Sequence, residues 1–157
     1  MDDVALANYI AGVHKGNVEA GRVDRMCAQL LSVPMGTEIW FSSYTLEKLR
    51  RKHGEINFSH YRHLPAILLN GFLARGRHEK LIDLWWIDVE ALPSAEYFVV
   101  LKATRKAEVF IETFHRINIK ETRRLIKRAK KEGRLFREQP GIGRHLQIGT
   151  EHLKSRR

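Results

Sequence analysis

Two histidines in basic surroundings carry the chemistry open to this sequence: His53 in LEKLRRKHGEI (residues 46–56) and His115 in EVFIETFHRI (108–117). Imidazole changes charge near neutrality, so one ring can remove a proton while a second supplies one. Beside cations, and without a cluster of carboxylates, such a pair suits cleavage of RNA by its own 2′-hydroxyl. One imidazole takes the 2′-OH proton, the other protonates the departing 5′-oxygen, and Arg or Lys stabilises the added charge on the phosphorane. No metal or cofactor is required, and the product carries a 2′,3′-cyclic phosphate.

The elements must then bring the two rings together. On a helix, Leu46, Leu49 and His53 fall within about 60° of one another, so His53 faces whatever the leucines bury against. Arg50 flanks that stripe, whereas Lys48 and Lys52 lie on the far side. Ser43 or Thr45 supplies the N-cap, Glu47 suits the first turn, and Gly54 ends the helix. The simpler role for His53 alone is a cap or core histidine at a helix C-terminus. In the second stretch, strand alternation places Val109, Ile111, Thr113 and His115 on one face, apolar at one end and polar at the other. A histidine ending such a strand is costly to bury without a partner. If the helix covers this sheet, the imidazoles meet at its open end. Thr113 shares the face and can hydrogen-bond a phosphate, although threonine is common in strands for steric reasons. Arg116 alternates to the other face but stands at the strand end. A two-residue turn at Arg105–Lys106 would set Lys102 opposite Val109, roughly 20 Å along the strands from His115. That suits a contact to a longer RNA or a solvated strand residue.

Around these stretches lies a chain of 157 residues with 28 Lys+Arg against 18 Asp+Glu, a formal net charge of +10. The length suits one domain, read as residues 1–140, with 141–157 as a basic, flexible tail. The charge calls for an acidic partner, nucleic acid before an acidic protein or a membrane surface. The single Cys27 excludes an internal disulfide and a multi-cysteine zinc site, and favours a reducing, cytoplasmic setting. Neither a signal peptide nor a membrane span is read. Residues 17–31 read as a leading helix, EIWFS as a short strand and SHYRHLPAILLNG as a helix with Pro65 in its first turn. FLARGR, KLIDLWWID, EYFVVLKAT and EVFIETFHRI read as four consecutive strands. The expected fold is therefore α+β, with N-terminal helices packed on a four-stranded antiparallel sheet. Residues 118–138 form a basic amphipathic helix capped by Asn118, whose nine Lys or Arg side chains either face solvent or hold phosphates. Trp85 and Trp86 alternate, one in the core and the other able to stack on a base. His60, His63, His78, His145 and His152 lack metal-site spacing.

The order YTLEKLRRKHGEI, YRHLP, FVVLKAT and FIETFHRI resembles the phage-associated branch of the barnase, EndoU, colicin and RelE-like (BECR) nuclease superfamily, over about residues 38–120. The matching pieces are Lys52–His53, Tyr61–Pro65, Lys102 and Thr113–Arg116. The resemblance implies leading helices on a four-stranded antiparallel sheet and a metal-independent endoribonuclease, a toxin or phage-encoded protein of a bacterial or phage-infected cell. Its substrate would be tRNA or mRNA, with a cognate immunity protein or antitoxin as further partner. Under this reading His53 and His115 are catalytic, while Arg50, Lys52, Lys102, Thr113 and Arg116 contact substrate. Two alternatives remain: a non-catalytic RNA- or DNA-binding module, and a basic inhibitor that docks on an acidic protein.

Overall fold

Seven short segments build a single sheet in the computed structural model, which describes residues 16–53, 58–91 and 93–142. The strands are β1 Val18–Arg22, β2 Glu38–Phe41, β3 Phe72–Arg75, β4 Leu81–Asp88, β5 Ala95–Ala103, β6 Val109–Arg116 and β7 Leu135–Arg137. The helices are α1 Arg25–Leu31, α2 Ser43–Lys52, α3 Phe58–Tyr61, α4 Leu64–Asn70 and α5 Ile119–Lys131. Strand order is β1-β2-β6-β5-β4-β3-β7, and every pairing is antiparallel except β2 with β6.

This corrects the expected four-stranded antiparallel sheet to a seven-stranded mixed one, within the same α+β class. The meander β3 to β6 forms the middle, β1 and β2 extend one side, and β7 extends the other. Two local signals were misread. Val18 and Ala20 face the core at strand spacing and their strand pairs with β2, so the expected leading helix starts only at Arg25, after Asp24 accepts the Cys27 N–H at 2.8 Å. The basic helix stops at Gly133, whose φ of 71° is the left-handed conformation that glycine adopts without strain. Leu135–Arg137 then pairs with β3.

Each face of the sheet has its own core. On the first, Ile39, Phe41, Val99, Leu101, Ile111 and Phe114 pack with residues from α1, α2 and α4, including Leu31, Leu49 and Ile67. On the second, Phe72, Ala74, Trp85 and Ile87 meet Ile126 and Ala129 of α5. Ile142, expected in a loose tail, is 1% exposed in this second core. The tail proper, with His145 and His152, lies outside the described residues. Gly71 ends α4 where a Cβ would stand 2.7 Å from the Ile67 carbonyl oxygen and 2.9 Å from that of Trp85. Only glycine allows the chain to pass there.

β3 pairs with β4 no further than Phe72 opposite Trp85. Two residues on, the Gln139 amide takes the place of a strand: the Ile87 N–H donates to its Oε1 and its Nε2 donates to the Ile87 carbonyl, both at 2.9 Å and buried. Gln139→Ala would leave both backbone groups unpaired, so a loss of about 2–3 kcal/mol is expected in urea unfolding.

Candidate functional site

Helix α2 is set by local signals. Ser42, one residue before the expected cap, accepts the Thr45 N–H at 3.1 Å, and Thr45, Leu46 and Leu49 form the buried stripe. The helix ends at His53, whose N–H donates to the Leu49 carbonyl at 2.7 Å. Gly54, the expected stop, lies outside the described residues.

Strand β6 reaches the same place through a bulge. Opposite β5, Thr113 pairs with Val100 and Ile111 with Leu101, which leaves Glu112 as an extra residue. A bulge of this kind reverses which side chains face the core. Val109 and Ile111 point into the first core before it and Phe114 after it, so His115 and Thr113 turn to the second face. The expectation that His115 shares a face with Val109 and Ile111 is therefore corrected. The loop between β5 and β6 is also longer than two residues: the Ala107 N–H reaches the Thr104 carbonyl and the Thr104 N–H reaches that of Glu108. Lys102 consequently stands opposite Phe110, four residues along β5 from the partner of His115 instead of six. At about 3.3 Å per residue the separation is roughly 13 Å, not 20 Å.

β2 pairs with β6 only at Ile39–Val109 and Trp40–Phe110. Beyond those rungs α2 flanks β6, and Lys48 Nζ donates to the Glu112 carbonyl at 2.9 Å, at the bulge itself. Lys48 was expected on the far side of the helix. Its role was hidden because it answers a backbone carbonyl that only the bulge presents.

The two imidazoles meet. The rings of His53 and His115 stack with centroids 4.5 Å apart and planes 15° from parallel. Phe98, the cross-strand partner of His115, holds that ring edge-on at 5.6 Å. His115 Nδ1 lies 2.9 Å from the Arg116 carbonyl oxygen. A carbonyl only accepts, so Nδ1 carries the hydrogen and Nε2 is the nitrogen left for chemistry. Stack, edge contact and hydrogen bond together fix the ring, as a catalytic group requires.

The remaining candidates divide. Thr113 lies on the His115 face, two residues away, and is partly exposed. Arg50 is exposed on α2, one turn before His53. Lys52 is exposed in the last helical turn. Arg116 points to the first face, where its Cα partner is Tyr97. Burial, with Asp88 and Glu96 adding to it, pushes the Tyr97 phenol above its ordinary range, and the Arg116 guanidinium opposes them. Cys27 is buried, and its thiol is pushed up to about 12, first by burial and then by Asp24, so it is no nucleophile at neutral pH.

The basic helix also divides. Arg137, in β7, donates to the Gly71 and Leu68 carbonyls and pairs with Asp24 at 3.0 Å. Arg134 donates to the Arg75 carbonyl at 2.7 Å. Both are structural, and seven Lys and Arg remain on α5, where Arg124 pairs with Glu121 and Arg128 with Glu132. Trp85 is in the second core, and Trp86 packs on the first. His63 lies 3.6 Å from Asp88 and tilts over Tyr97. Among the described residues no group of His, Cys, Asp and Glu could hold a metal, and no helix is long and apolar enough to cross a membrane.

Compared with known proteins, the chain matches no family model, no curated protein and no solved structure.

Proposed function

We propose that this protein is an endoribonuclease that cleaves RNA through a 2′,3′-cyclic phosphate, with His115 as base and His53 as acid. The observation that carries this reading is the contact between two imidazoles distant in sequence, at the β6 edge that α2 flanks in a cationic chain. Rings 4.5 Å apart leave no space for a phosphate between them, so the linkage lies across their edges. There one nitrogen from each plane reaches one of the two apical oxygens of an in-line transfer. His115 Nε2 takes the 2′-hydroxyl proton as the 2′-oxygen bonds to phosphorus. His53 gives its proton to the 5′-oxygen as the P–O5′ bond breaks. With His115 Nε2 free to accept, the acid role falls to His53 at the C-terminal end of α2. The role of steadying the phosphorane falls to Arg50, one turn before His53, and to Thr113 on the His115 face, while Lys52 is exposed beside His53 and Arg116 turns to the other face. The resemblance to BECR nucleases agrees with this chemistry, and on that reading a toxin or phage-encoded enzyme with tRNA or mRNA as substrate follows.

A second reading has its own support: the stacked rings also clip α2 to β6, a purely structural use in an RNA-binding module that cuts nothing. Incubation with end-labelled tRNA and mRNA in EDTA separates the two. Fragments ending in a cyclic phosphate are expected. RNA that is bound but intact would leave the binding module, and a chain that neither binds nor cuts would leave docking on an acidic protein.

A further inference from the structure

Helix α5 covers only part of the second sheet face. Among the described residues, the second core draws on β3 and β4, with Phe98 of β5 packed against it, and takes no residue from β6, β2 or β1. Ile39, Phe41, Val109 and Ile111 all point to the first face, so alternation turns Trp40 and Phe110 to the second. Register then sets Trp40, Phe110 and Lys102 side by side on three adjacent strands. Both aromatic rings are partly exposed and, among the described residues, belong to neither core, and Lys102 is exposed. The next rung holds Thr113 and Val100, and the one after it His115 and Phe98. A continuous strip thus runs from the aromatic pair to the imidazole pair, about 13 Å apart along the strands.

We infer that the Trp40–Phe110–Lys102 row is a binding platform for single-stranded RNA, stacking bases a few nucleotides away from the phosphate held at the histidines. Aromatic rings on an open sheet accept any base, and a neighbouring cation follows the backbone, so the platform reads little sequence. The net charge of +10 makes a polyanion the matching occupant. Two acids flank the row at β1 and β2, Glu19 and Glu38. Arg22 pairs with both, at 3.2 and 3.5 Å, and Lys102 balances the one carboxylate charge that Arg22 leaves over, so the row itself is neutral within a cationic chain. The inference rests on RNA being the ligand, and it does not need the chain to cut.

The test is binding of the full chain to a fluorescein-labelled 2′-O-methyl octanucleotide, which cannot be cleaved, followed by anisotropy. Trp40→Ala and Phe110→Ala should each weaken binding about tenfold. Cleavage of a dinucleotide, too short to reach the row, should stay at the parent rate. Lys102→Glu, at an exposed position where folding is not at stake, should weaken binding and lower the salt slope by about one. Folded variants that bind like the parent, or a parent that does not bind the octanucleotide, would overturn the platform. So would variants that dissociate a dimer in sedimentation while RNA binding is unchanged, since the row would then join two copies. Binding that responds to the variants without any cleavage keeps the platform and removes the nuclease reading.

Discussion

His115→Ala is expected to lower RNA cleavage by about 10²–10⁴-fold, the span that a positioned acid or base contributes. His53→Ala should do the same. The double variant should fall little below either single one, because groups acting in one step are not additive. Folding should survive, since His53 and His115 are both only partly buried. Loss of the stacked contact costs about 1 kcal/mol. The pH–rate profile carries the assignment further. Acid–base catalysis gives a bell, whose acidic limb reports the base and whose alkaline limb reports the acid. His115→Ala should flatten the acidic limb of the residual activity, and His53→Ala the alkaline one. Two folded variants that cleave at the parent rate would reduce the stack to a clip between α2 and β6.

Phe114→Ala should destabilise the protein by about 4 kcal/mol, as for other fully buried phenylalanines. Its side chain has no exposure, and its ring meets Tyr61 at 5.3 Å and Tyr97 at 5.7 Å. Set against a typical total stability of about 5–15 kcal/mol, that loss takes much of the margin. Phe110→Ala, on the open face, should cost about 1 kcal/mol or less. The contrast tests the bulge. Without an extra residue at Glu112, Phe110 and Phe114 would share a face and lose similar amounts. Equal urea midpoints for the two variants would therefore refute the face reversal, and with it the route by which His115 comes to its place.

What could be read in advance divides along a physical line. Helix α2, the Pro65 helix, the Asn118 cap and the four meander strands follow from signals within a few residues, and they formed where expected. Asn118 accepts the Glu121 N–H at 2.7 Å, a bond that the sequence spacing alone implies. What failed depends on distant partners. Val18 to Arg22 carries spacing compatible with either a helix or a strand, and only the pairing with β2 decides. The bulge at Glu112 has no signature within EVFIETFHRI, because two-against-one pairing is a property of both strands. The meeting of His53 and His115 was foreseen while its reason was not: the rings come together at the β6 edge that α2 flanks, on the face opposite to the one alternation predicts. Lys48, Trp40 and Phe98 were missed because each matters only through such a neighbour.

The parallel contact between β2 and β6 has a consequence for when the molecule becomes competent. The meander can zip hairpin by hairpin, but Ile39 must find Val109 across an intervening span of some seventy residues, a closure that costs more entropy and is slow. During synthesis the segment carrying one ring emerges long before the segment carrying the other. On the nuclease reading, the nascent chain stays chemically silent until that long-range docking, when maturation and the birth of the imidazole pair become one event.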